Sequence, residues 1–452
     1  MRTFMILVPA AGLYLALLSL FKFKRLMNPV LVVVSWWAFW LWTSNFSLTG
    51  LFVPSSRTQF MVLVMLASVS LGSFLAFPRE RDPGRTALAN ERFKQNGRFL
   101  YGINLLFVPL MGLLLYRAIP ALFFSDPVLY RKEVYGTPDG PSPLFGGGYG
   151  QFLFFLIVSP VIFFSLIAGL ISFFRYGKKR LLIVSLLLII SEGLITLGRF
   201  NFYYILALAA FAYVYVKQRE AAGPATGTGQ AAPPRLKLKA VKFAAAAAAV
   251  LAVVLGLSFL RGEKSAGPLA ALEKIAVEYH TVGLVLFDQE LSAPSSRLNS
   301  GLSFGRSTIG GLDNLALVFL RRFNPDIVPV AQESGAYMAE SRQVGRDAKG
   351  GPILGNAFYT ILYSLYYDGR YLAVIFFSLV FGFFLSSSWL NWIKNGGLTS
   401  LAAVVLLTYV GVFSLFQSPV EGLKFWVALL LIPWMKRFSL AFVKPERQEA
   451  DE

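Results

Sequence analysis

The chain has 452 residues, 56% of them hydrophobic, 15% aromatic and only 15% charged. An ordinary soluble domain is nearer a quarter charged, so a soluble globular class is excluded. The net charge of +18 invites nucleic acid as a partner. However, most basic residues outside one large polar segment sit at the ends of apolar runs, where membrane topology places them, and nucleic acid is set aside.

Runs of about 20 apolar residues mark membrane helices, because backbone polar groups in lipid must be satisfied within the element. The pattern predicts an all-α, polytopic integral membrane protein. Its eleven expected spans lie near 3–21, 29–47, 59–77, 99–124, 151–174, 181–197, 202–216, 243–260, 371–390, 398–416 and 425–434. The first run has one arginine before it and no clear small-residue cleavage site, so it reads as a retained span rather than a signal peptide. Residues 217–242 are rich in Gly, Ala, Pro and Thr and read as a flexible linker. The stretch 356–367 is short and tyrosine-rich, and reads as an amphipathic helix at the membrane interface. No internal repeat of the kind found in secondary transporters is visible.

The connectors alternate in charge. Those after spans 1, 3, 5 and 7 carry 3, 6, 4 and 6 basic residues, and those after spans 2, 4 and 6 carry one, two and one. The basic set is therefore expected in the cytoplasm. The N-terminus then lies outside, the C-terminus inside, and residues 261–370 form one large external loop. The expected organisation is 1–260 with eight spans, 261–370 as the loop, and 371–452 with three spans and a tail.

That loop holds eleven Lys/Arg and eleven Asp/Glu, and eight of its bases are arginines. Arginine's planar fork suits phosphate and carboxylate oxygens. The loop's arginines therefore either bind an anionic lipid-linked group or pair with the loop's own carboxylates. The loop also contains His280, the sole histidine, on a stretch of helical periodicity at 268–291, with Glu278 and Asp288 nearby. Its imidazole is either a general base or a structural group bonded to a carboxylate. The run SGLSFGRSTIGG (300–311) has amides able to cradle phosphate oxygens. It lacks the GK[ST] of a P-loop, and an ordinary turn-rich loop is the plainer reading. Arg199, at the outer end of span 6, and Glu192, two turns inside it, are ionisable groups at membrane depth. With no cysteine and one histidine, no Cys-ligated or multi-His metal site is available within one chain, and neither metal nor cofactor is expected.

Three features carry a resemblance. One is the span–GR–span arrangement at 197–201. Another is the single large loop that opens with Arg261 just after a span. The third is the loop's closing segment N-x-F-Y-T-x₂-Y-x₄-D-G, from Asn356 to Gly369. In these the chain resembles the Wzy-type oligosaccharide repeat-unit polymerases (O-antigen polymerases) of bacterial inner membranes. The family's closing turn often reads D-F-G, whereas here it is D-G-R. The resemblance implies a metal-independent glycosyltransferase that joins undecaprenyl-pyrophosphate-linked repeat units at the periplasmic face. It also implies a separate chain-length regulator and flippase as partners. On that reading His280 is the base or positions the acceptor, and Arg261 is catalytic through the pyrophosphate. Arg199, Arg306 and Arg370 serve the pyrophosphate, and Asn356, Tyr359, Tyr363 and Asp368 contact sugar. The alternatives are an O-antigen ligase, whose His-Asn/Ser-x-x-Leu pattern is absent at His280-Thr-Val-Gly-Leu, and a flippase or transporter.

Overall fold

The computed structural model describes residues 2–79, 82–124, 143–221, 277–320, 326–338, 340–356 and 359–437, with a few isolated positions between them. Most of the expected eighth span, most of the expected linker, and Arg261 lie outside the described residues.

The described chain is a bundle of apolar helices with a polar cap at one end. The helices are α1 (Arg2–Phe23), α2 (Pro29–Ser44), α3 (Ser56–Phe74), α4 (Pro83–Phe124) and α5 (Gly148–Tyr176, with a π turn at Phe154–Val158). They continue with α6 (Arg180–Ile195), α7 (Phe200–Ala221), α8 (Tyr279–Ser292), α9 (Gly310–Leu320) and α10 (Val330–Met338). The last three are α11 (Ile361–Asn395), α12 (Leu398–Phe413) and α13 (Leu423–Arg437). Five stretches are long and apolar enough to cross a membrane: α3, Pro83–Pro120 of α4, α5, α7 and α11. Leu7–Phe23, α2 and α12 are shorter apolar helices. The protein is thus a helical, membrane-embedded one.

Three expectations need correction. The basic connector at 78–98 is helical from Pro83 onward, and α4 runs 42 residues, about 63 Å at 1.5 Å per residue. Its charged first half is made of good helix formers with Pro83 at the start, so charge marked the end of the membrane and not the end of the helix. The segment 356–367 is helical only from Ile361; it stays set off from the expected ninth span by non-helical backbone at Gly369 and Arg370 (φ 56°), but its Tyr363 is wholly buried rather than laid on a surface. The polar segment is also not all-α. It contains an antiparallel hairpin, β1 (Arg342–Arg346) and β2 (Pro352–Gly355). The Asp347 side chain accepts from the amides of Lys349 (2.9 Å) and Gly351 (2.7 Å), closing the tight turn as an Asx residue does. β1 also pairs with the connector after α2, where Leu51 bridges Gly345.

Close packing at the centre rests on two reciprocal glycines. A Cβ on Gly72 of α3 would lie 1.9 Å from the Leu379 carbonyl oxygen, and one on Gly382 of α11 would lie 2.0 Å from that of Val69. Small residues let membrane helices approach backbone to backbone. Tryptophans tie the other helices: Trp37 donates to the Gly411 carbonyl (2.8 Å) and Trp392 to that of Tyr215 (2.8 Å).

The bundle has two unlike ends. At one, the C-termini of α1, α3, α5, α7, α11 and α13 meet the start of α4. Lys22 donates to the carbonyls of Ser73, Phe74 and Ala76 at 2.7, 2.6 and 3.1 Å. Arg25 reaches Gln218, Arg219 reaches Trp392 and Ile393, and Arg92 reaches Lys436 and Arg437, all at backbone carbonyls. Cations there satisfy the unpaired carbonyls that end helices. At the other end lie α8, α9, α10 and the hairpin.

Candidate active site

His280 opens α8 beside Tyr279. Its ring stacks on Trp40 (centroids 4.3 Å, 16°) and meets the edges of Trp36 and Phe416, each at 5.2 Å. Arg199 occupies the turn between α6 and α7, which Leu197 makes tight by adopting φ 49°. The Arg199 side chain is buried, 7% exposed. Its guanidinium donates to the Tyr279 hydroxyl and lies 5.1 Å from that ring's centroid. Tyr279 therefore joins Arg199 and His280, residues that are 81 apart in sequence. The product is a cation, a phenol and an imidazole beside two indole rings and a phenyl ring. A guanidinium can neutralise phosphate oxygens, an imidazole can accept a proton, and indole faces suit amphipathic ligands.

The other expected site residues fall into separate groups. Tyr359 and Tyr363 are 4% and 0% exposed, with rings 5.2 Å apart. They pack beside Glu290, a fully buried carboxylate that accepts from Ser296 (2.6 Å) and Tyr337 (2.8 Å) and pairs with Arg342. Burial first, and then the Glu290 charge, hold the Tyr359 phenol above its usual range. Both tyrosines are part of the interior of the cap. Asn356 follows β2 and is half-buried.

Asp368 explains the glycine- and serine-rich run. Its carboxylate accepts the amides of Ser307 (2.9 Å) and Thr308 (2.8 Å) and the Ser303 hydroxyl. The loop is an anion cradle, and here the anion is the chain's own. Arg306 from the same loop forks onto Asp313 at 2.8 and 3.2 Å, whose hydrogen bond raises the guanidinium pKa. Arg342 and Arg306 thus follow the reading in which loop arginines pair with loop carboxylates. Glu192 accepts from Ser159 (2.8 Å) and pairs with Lys424, linking α5, α6 and α13.

Arg370 differs. It donates to the Gly301 carbonyl (3.0 Å) and lies 5.1 Å from the Tyr366 ring centroid, and its Nη1 is buried without a hydrogen-bond partner among the described residues. Arg57 donates to the hydroxyl of the same Tyr366 (3.0 Å). Sequence reasoning passed over Arg57 because it is a single base in a sparse connector. It also passed over Glu290, and Glu421 in the connector before α13. Glu421 accepts from Ser364, and burial, with Asp368 nearby, raises its carboxyl to about 7. The cue at Glu421 was an acid on the side of the membrane where the polar segment lies. Among the described residues no group of three His, Cys, Asp or Glu is placed to hold a metal. Compared with protein families, curated proteins and solved structures, the chain matches none.

Proposed function

We propose that the chain is an eleven-span bacterial inner-membrane glycosyltransferase with its N-terminus periplasmic and its C-terminus cytoplasmic. It joins undecaprenyl-pyrophosphate-linked repeat units into a surface polysaccharide. The observation that supports this most is the meeting of Arg199, Tyr279 and His280 beside Trp36, Trp40 and Phe416, at the end of the bundle opposite the basic helix ends. In this mechanism His280 takes the proton from the acceptor sugar hydroxyl, whose oxygen forms the new bond to the anomeric carbon. The bond from that carbon to the pyrophosphate oxygen breaks, and Arg199 stabilises the departing charge. Arg261, outside the described residues, is assigned a supporting role on the loop's resemblance alone. Arg370, together with Arg57, offers a second cationic surface for the same lipid-linked head group.

The test uses purified protein in nanodiscs, an extracted lipid-linked repeat unit and EDTA. A glycan ladder from the wild type, lost in His280→Ala, Arg199→Ala and Arg261→Ala, is the expected result. Transfer of a single unit without a ladder favours the ligase alternative. Movement of labelled lipid across a vesicle with no new glycosidic bond favours the transporter.

A further inference from the structure

A long apolar groove runs down the side of the bundle. Its volume is about 670 Å³. It is lined by α11, α12 and α13, with Val33 and Trp37 of α2 and Met65, Leu66 and Val69 of α3. Along α12 its lining runs from Thr399 to Ser414, about 22 Å at 1.5 Å per residue, most of a bilayer core of roughly 30 Å.

The lining is graded. Among the described residues its charged members are Arg79 and Lys436, both at the basic end of the bundle. Next come Ser387, Ser388, Asn391, Thr399 and Ser400, small hydroxyl and amide side chains. The Ser387 hydroxyl is buried without a hydrogen-bond partner among the described residues, and Asn391 holds the Arg79 backbone amide (2.9 Å). Beyond these the walls are mainly apolar, Phe377, Phe381, Phe384, Leu407 and Trp426, with single hydroxyls at Ser378, Ser414 and Thr308. Among the described residues no Asp or Glu lines the groove, and Glu91, on the neighbouring part of α4, is engaged with Lys94 at 3.1 Å. At the far end no cation among the described residues lines the groove, while Asp368 holds the Thr308 amide and Glu421 follows Val420 in the chain.

From this order we infer that the groove binds an anionic glycerophospholipid from the leaflet on the basic side of the bundle. Its phosphate sits at Arg79 and Lys436, its ester groups lie against the hydroxyl belt, and an acyl chain lies along the phenyl rings. Basic pockets between membrane helices capture anionic head groups in this way. The hydroxyl belt distinguishes this occupant from a polyprenyl phosphate, which has no esters to meet it. A polyprenyl head at the opposite end would meet no lining cation among the described residues. The inference stands apart from the polymerase reading.

The test is native mass spectrometry of the delipidated full chain in detergent. It is titrated with dioleoyl phosphatidylglycerol, dioleoyl phosphatidylcholine or undecaprenyl phosphate, with melting temperature as a second readout. Two cations at a membrane surface correspond to a preference for the anionic phospholipid of roughly tenfold to thirtyfold. Arg79→Gln/Lys436→Gln should abolish that preference while leaving weak binding of both phospholipids. Ala403→Phe, in the α12 lining, should abolish binding of both with the cations intact. Each variant is checked for an unchanged melting temperature without lipid. Ser388→Phe replaces Ala403→Phe if the latter does not fold. Equal binding of the two phospholipids by the wild type overturns the inference. So does retained binding in the groove-filling variant, or undecaprenyl phosphate binding more tightly than phosphatidylglycerol.

Discussion

The two ends of the bundle use the same side chains for opposite purposes. At the basic end, Lys22, Arg25, Arg92 and Arg219 donate to backbone carbonyls where helices stop. At the polar end, Arg199 meets a tyrosine, Arg342 and Arg306 meet carboxylates, and Arg57 and Arg370 share Tyr366. Cations at the first end finish secondary structure, and their partners are local to helix termini. Cations at the second end hold loops together or face groups with no carboxylate.

This contrast can be broken, most directly at Glu290. Removing one partner of a buried ion pair leaves the other uncompensated, at about 3–5 kcal/mol, so Glu290→Ala should lower unfolding stability by that much. At the other end, Lys22→Met removes charged hydrogen bonds worth roughly 1.5–3 kcal/mol. It should lower the melting temperature while the proposed glycan transfer by the surviving folded protein is unchanged. If Lys22→Met abolished transfer in folded protein, the division of labour between the ends would be wrong. Glu421 sharpens the comparison through pH. Its folded pKa of about 7 lies above the ordinary 4.5, so the folded state binds the extra proton. Its contribution to stability is then full below pH 4.5 and is lost as pH rises towards and through 7. Melting curves across pH 5–8 should show this decline in the wild type and a flatter profile in Glu421→Gln. The smallest effect belongs to Arg297, whose bridge to Glu333 at 3.1 Å is about a third exposed or more on each side. Arg297→Ala should change stability by no more than about 1 kcal/mol.

Much of the bundle was legible because lipid imposes one rule, a long apolar run for each crossing, and because connector charge alternates. Helix ends within charged sequence were not legible. The stretch 83–98 looks like a connector by charge and is a helix by backbone preference. The break at Gly369 and Arg370 was legible, since the tyrosine-rich stretch and the apolar run from 371 differ in composition. The site was half legible. His280 and Arg199 stand out as rare types at unusual depths, and the fold brings them together. The loop at 300–311 reads from sequence first as an ordinary turn-rich loop and only second as an anion cradle, and the fold supplies Asp368 as its anion. Glu290 gave no signal, because an acid in a neutral, charge-rich loop looks solvated until the loop closes over it.

The Asp368 cradle also imposes an order on biosynthesis. Ser307 leaves the ribosome 61 residues before Asp368, a lag of roughly 3–12 seconds at ordinary elongation rates. Until then its amide and that of Thr308 are served by water. Lys424, the partner of Glu192, emerges 232 residues after it. The polar end is therefore completed only when the last helices are delivered, since Asp368 and Lys424 both arrive with them.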